Sequence, residues 1–182
     1  MSLNAKSIVG TFAADPAHSS FTFAVKHMTI SLFRASFDDV EAQVVASEDG
    51  IRFEGAVRVE SVSIRTPAEF RDKVVNGADF FDGKNHPEMK FRSTDVELRD
   101  DGTAIVDGEL TIKGITKPFK ATGTYELPVE DPFGGTRAAI ALEATVDRRE
   151  WGLTWQMPLP KGGDALAYEV RLIANVALTK TG

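Results

Sequence analysis

Apolar and polar residues alternate along most of the chain between residues 19 and 179. That period of two marks strands with one buried face, not helices. In IRFEGAVRVE, residues 51–60, Ile51, Phe53, Val57 and Val59 alternate with Arg52, Glu54, Arg58 and Glu60, so one face is apolar and the other is wet. Comparable runs at 20–27, 35–46, 88–98, 103–113, 117–127, 136–147 and 165–179 predict eight strands in all. Short turn signals separate them: SEDG at 47–50, RDDG at 99–102, KGITKP at 113–118 and EDPFGG at 130–135. Consecutive strands joined so tightly are antiparallel, which predicts a sandwich or an up-and-down barrel and excludes a parallel α/β sheet.

Two segments break the alternation. TPAEFRDKVVNG, residues 66–77, predicts a short helix over 67–76, with Thr66 as cap, Pro67 at the first helical position, Glu69 completing a capping box and Gly77 as the stop. REWGLTWQMPLPKGGD, residues 149–164, reads as a long loop covering one end of the sheet.

The apolar parity of each strand marks its inward face. The inward set includes Phe21, Phe23, Val25, His27, Phe53, Met89, Phe91, Val106, Leu110, Phe119, Tyr125, Ile140, Leu142, Tyr168, Val170 and Leu172. Several positions of the same parity are small: Gly55, Ala104, Gly108, Ala121, Gly123, Ala138, Ala144 and Ala174. An eight-stranded barrel is either just filled by its side chains or holds one small ligand. The small residues fit a hollow; they equally fit strand bends whose gaps are closed by neighbouring Phe, Met and Tyr.

With 182 residues and 42% hydrophobic content, the chain suits a single domain, residues 1–182, with a substantial core. A formal net charge of -6 argues against nucleic-acid binding, which needs clustered Lys and Arg. The chain has no cysteine, so disulfides and thiolate chemistry are excluded. The first twenty residues show no signal-peptide core, and no segment approaches membrane-spanning length. As it stands the sequence reads as cytoplasmic. The MSL start is compatible with a cloning scar, and a removed leader would make the protein periplasmic or secreted.

Candidate chemistry is sparse. His18 and His27 are an odd number of positions apart, on opposite faces of a continuous strand, and His86 stands before Pro87, so the three form a metal set only if a bend intervenes. There is no strained nucleophile elbow and no phosphate-cradling glycine loop. In TVDRREWG, residues 145–152, an arginine at a barrel mouth could bind a polar head group; alternatively Asp147 pairs with Arg148 or Arg149 to fix the corner.

Several stretches form a collinear set of motifs. Asp15, His18 and Ser19, followed by Phe23, Val25, Lys26 and His27, resemble D-x-x-H-S, alternating aromatics and V-K-H. ADFFDGKNHPEMKFRST at 78–94, GELTIKGITKPF at 108–119, the DR and WG of 147–152, and the closing strand from Gly163 to Leu178 follow in order. From about residue 11 to the end, this set resembles the YceI family of lipid- or polyisoprenoid-binding proteins. The resemblance implies an all-β, eight-stranded antiparallel, lipocalin-like barrel with a short helical insertion, an apolar pore and often a homodimer. The helical segment departs from the family's charged R-D-x-H-L-R form.

The resulting expectation is non-enzymatic binding, carriage or sequestration of a polyisoprenoid, quinone or similar long-chain amphiphile, with no cofactor and no metal. Its candidate contacts are Phe21, Phe23, Val25, His27, Phe53, Phe91, Val106, Leu110, Tyr125, Leu142, Arg148, Trp155, Tyr168 and Val170. Arg148, Arg149, His27 and His86 are the head-group candidates. Two alternatives are a hydrolase or isomerase with His27 or His86 as base, and a filled barrel serving as a stress-related interaction module.

Overall fold

The computed structural model describes residues 8–182; the first seven residues, the MSL start among them, lie outside it. Ten antiparallel strands run in chain order: β1 Gly10–Ala14, β2 Ser20–His27, β3 Ser31–Phe37, β4 Val40–Ser47, β5 Gly50–Arg58, β6 Glu88–Leu98, β7 Thr103–Ile112, β8 Ile115–Glu130, β9 Thr136–Asp147 and β10 Leu166–Lys180. The sheet order is β1-β4-β5-β6-β7-β8-β9-β10-β2-β3, and β1 also pairs with β10, closing a barrel.

Ten segments make eight staves because two staves are broken. β1 and β2 lie end to end along β10, residues 12–14 against 178–180 and residues 20–27 against 166–175. β3 and β4 likewise follow one another, pairing with β2 and β1. The first break is the DPAHS turn: Asp15 accepts hydrogen bonds from the Ala17 amide and the His18 ring, and Ser19 exchanges hydrogen bonds with the Ala177 backbone. The second is at Asp38 and Asp39, where the chain departs toward Ser61.

Seven of the eight runs read from the alternation each correspond to one strand. The sequence reading missed β1, and it ran β3 and β4 together as one strand beginning at residue 35. The β7–β8 hairpin turns on Lys113 and Gly114, with φ of 51° and 71°, the left-handed pair that matches strand twist. A bulge between Ser93 and Asp95 shifts the inward parity of β6 from Met89 and Phe91 to Val96 and Leu98.

The helix α1 spans Ala68–Asn76, close to the expected 67–76, but its start differs from expectation. Pro67, not Thr66, is the N-cap, and no side chain caps the helix; Glu69 remains in the first turn, where the helix dipole favours an acid. Gly77 does end it, in an extended conformation with φ of -64°. A Cβ there would collide with the Lys73 carbonyl.

The core has two parts. One, at the β1 end, packs Phe12, Val44, Phe53, Val106, Tyr125, Ile140, Val176 and Leu178. The other packs α1 and the loop after it onto the far end, through Val59, Val74, Val75, Phe80, Phe81, Trp151 and Leu153. Among the described residues, no helix is long and apolar enough to cross a membrane.

Candidate functional site

Between the two packed ends lies an apolar cavity of about 170 Å³. Its walls come from nearly every stave because the inward face of each strand reaches the barrel axis at mid-height. Phe21 and Phe23 of β2, Phe53 of β5, Phe91 of β6, Leu110 of β7 and Leu142 of β9 all line it. The aromatic rings form two chains. Phe91 stands between Phe53 and Phe119, with centroids 6.0 and 5.5 Å away, while Phe23 lies 5.7 Å from Phe37 and 6.2 Å from Phe33.

Small residues shape this space in two ways. Gly55, Ala121, Ala144 and Ala174 line the cavity, as the hollow reading requires. Gly108 instead makes room for a ring: a Cβ there would lie 2.6 Å from Phe91 Cε2. Gly123 allows β9 to approach, since a Cβ would overlap the Ala141 carbonyl.

Other residues named from the sequence lie elsewhere. Val106 and Tyr125 belong to the packed β1 end, Tyr125 donating from its hydroxyl to the Arg99 carbonyl at 2.8 Å. Val25 is buried and pairs with Val170 and Phe33 away from the cavity wall. His27 is exposed at the end of β2, opposite Ser31 and Leu166. Phe37 and Val40 were not anticipated. The break at Asp38 and Asp39 lets an odd and an even position both face inward, which one continuous strand forbids.

Arg148 departs from the head-group expectation. It is buried, and its guanidinium donates to four backbone carbonyls: Ala167 at 2.9 Å, Leu153 at 2.5 Å, Trp155 at 2.8 Å and Leu166 at 3.2 Å. Burial pushes its pKa below the ordinary arginine value. Its place is structural, holding the 152–165 loop to β10. Asp147 pairs with the neighbouring Arg149, whose Nη2 is 2.5 Å from Oδ2, and that arginine holds the carboxyl below the usual carboxylate range. Both guanidinium groups lie over the Tyr168 ring, at 4.8 and 4.0 Å. Trp155 stacks on Phe80 at 5.3 Å beneath Lys73. Trp151 donates from its indole to the Leu110 carbonyl at 2.9 Å. Helix and loop thus close the same end of the barrel.

The polar clusters occupy the outside. Asp15 accepts from His18 Nδ1 and Arg137 Nη1, each at 2.8 Å, and these partners lower its pKa to about 2. Arg137 also donates to Asp131 at 2.8 Å, so one guanidinium bridges the DPAHS turn and the β8–β9 hairpin. His86 lies 4.0 Å from Asp82. Among the described residues, no group of three or more His, Asp or Glu side chains is arranged to hold a metal. A shallow groove of about 660 Å³ on the outer face of β4 to β8 is lined by Glu41, Glu54, Lys90, Arg92 and Glu109. It opens to solvent, and Arg92 and Glu109 already pair across it.

This architecture has counterparts. The YceI-like domain matches residues 12–178. A "UPF0312 protein" of Pseudomonas putida is 32% identical over 139 residues, covering 75% of this chain and 71% of its own. Solved structures share the fold, two of them as follows. BcnA of Burkholderia cenocepacia has a TM-score of 0.72 at 20% identity, covering 90% of this chain and 98% of its own. A polyisoprenoid binding domain from Saccharophagus degradans implicated in plant cell wall breakdown has a TM-score of 0.69 at 11% identity, covering 93% and 98%. A barrel of this topology, with the motifs in register along the domain, makes the chain a member of the YceI-like family.

Proposed function

We propose that the chain binds an apolar ligand in its central cavity and carries it unchanged, the ligand being a polyisoprenoid, an isoprenoid quinone or a similar long-chain amphiphile. The observation that carries this reading is the cavity itself, ringed by Phe21, Phe23, Phe53, Phe91 and Phe119 with alanine and glycine between them. Burying each methylene there is worth about 0.8 kcal/mol. The polyisoprenoid binding domain of Saccharophagus degradans, with the same fold, supports the ligand class. Non-enzymatic binding fits walls that offer contact surface and little acid–base chemistry.

Size sets the terms. A void of about 150 Å³ accepts one benzene ring, and ordinary ligand pockets measure about 300–1,000 Å³. At about 170 Å³, the cavity takes one ring or one prenyl-sized unit as it stands, and a longer chain requires the phenylalanine rings to part. The same volume favours a second reading, a filled barrel with no cargo. Native mass spectrometry of freshly purified protein, with organic extraction and titration with geranylgeraniol, separates the two. Carriage predicts a stoichiometric adduct that extracts as a prenyl lipid, and Ala144→Leu, which fills the cavity, lowers uptake at least tenfold. An empty protein that takes up no prenyl alcohol favours the filled barrel.

A further inference from the structure

Two loops leave the barrel side by side at the end closed by α1. One is the β2–β3 turn, residues 28–30; the other is residues 156–163, within the long loop before β10. The Met28 amide donates to the Ala165 carbonyl at 2.8 Å, and the Ala165 amide donates to the Met157 carbonyl at 2.9 Å. Thr29 and Leu159 both lie beside Gly163. The pair presents large apolar side chains to water: Ile30 is 83% exposed, Met157 56%, and Met28 and Leu32 45% each. Turns ordinarily carry polar residues or glycine.

The two segments that carry these side chains are also one-signed in charge. The chain has 27 acidic residues, yet none falls within residues 16–37 or 151–163, which hold Lys26, Arg34 and Lys161. Lys26 and Leu32 face each other on β2 and β3, and Lys161 is exposed among the loop prolines. The nearest acid in sequence, Asp164, is exposed at the end of the loop, within electrostatic reach of Arg148 and Arg149. Apolar tips flanked by cations are the signature of a surface that seats in the headgroup layer of an anionic membrane. A second exposed apolar group provides the contrast. Leu127, Val129 and Phe133 of the β8–β9 hairpin stand among Glu126, Glu130 and Asp131, which such a membrane would repel.

From this apposition of bare side chains and one-signed charge, we propose that the barrel end formed by the β2–β3 turn and the 156–163 loop docks on the surface of an anionic lipid bilayer. The proposal rests on the carrier reading, since a lipid carrier must load or unload at a membrane, but it is tested separately. Vesicle flotation with phosphatidylcholine alone, and with added phosphatidylglycerol, measures it directly. Wild type should float with the anionic vesicles, less with neutral ones and less at high salt. Ile30→Asp and Met157→Asp should each lower partitioning about tenfold, and Lys161→Glu at least fivefold. Phe133→Asp should leave partitioning unchanged. Ala144→Leu should still float while losing prenyl uptake, so a failed cavity and a failed docking surface give different results. Should Ile30→Asp fail to fold, Lys161→Glu, at an exposed loop position, carries the same test. Absence of wild-type binding to anionic vesicles overturns the proposal. So does light scattering in which Ile30→Asp turns a dimer into a monomer while vesicles stay unbound, which would give the patch to a second copy of the chain.

Discussion

Replacing Arg148 with methionine removes the buried guanidinium while keeping an unbranched apolar stem. Four carbonyls lose a donor: Leu153, Trp155, Leu166 and Ala167. The Leu166 carbonyl keeps the Gln156 side-chain amide at 2.6 Å, which leaves three that must find water or go unpaired. At about 1 kcal/mol for each net hydrogen bond, the variant should lose about 3 kcal/mol. In a chain of 182 residues that corresponds to a Tm lower by about 6–12 °C. Urea unfolding followed by Trp fluorescence measures the loss, with both tryptophans, Trp151 and Trp155, reporting from the affected end. Prenyl uptake by the folded variant should stay near wild type, because Arg148 lies outside the cavity wall. A loss below about 1 kcal/mol would refute the account of Arg148 as the clamp of the 152–165 loop. Retained stability combined with abolished uptake would return it to the head-group role expected from the sequence.

Other outcomes follow from the same geometry. Gly108→Ala forces the Phe91 ring from its seat and should cost about 1–3 kcal/mol, read as a lower urea midpoint; an unchanged midpoint would contradict the close packing of ring on glycine. Asp15 has a folded pKa of about 2, below the unfolded value of about 3.9. Its ionised form therefore favours the fold above pH about 4, and that contribution disappears as the pH falls through about 2. Carboxyl NMR should give a midpoint near 2, and Asp15→Asn should lack this part of the acid-induced loss; a midpoint near 4 would count against the bridge to His18 and Arg137.

The barrel was legible because its staves alternate so regularly. Phe53, Phe91 and Leu142 could be placed on the inner face from period alone, and Phe21 and Phe23 with them. Breaks and bulges were not legible, because parity carries no information across an interruption. Phe37 and Val40 lie on either side of one such break, and a reading of 35–46 as one strand put them on opposite faces. Alternation is also blind to height along the barrel axis. Val106 and Tyr125 share the inward parity of Phe91 but sit in the packed end. The placement of Arg148 was illegible for a different reason. A lone arginine beside an aspartate looks like an exposed ion pair, and only the tertiary fold brings four carbonyls around it. The apolar turn at 28–30 left no mark on the periodicity, since an exposed Ile and a buried one are written alike.

The closure of the barrel bears on how the protein assembles. Each stave from β4 to β10 pairs with its neighbour in sequence, so most of the sheet can grow hairpin by hairpin at modest loop-closure cost. The seam is different: β1 and β2 both meet β10, Phe12 opposite Lys180 at the packed end and Phe23 opposite Leu172 beside the cavity. These contacts span nearly the whole length of the chain, so they await synthesis of β10 and carry the largest entropic penalty of any pairing in the sheet. Without that seam the sheet has two free edges and the wall holding Phe21 and Phe23 is missing from the cavity, so the last strand to be made is also the one that completes the apolar interior, and exposed edges and apolar surface of that kind favour aggregation.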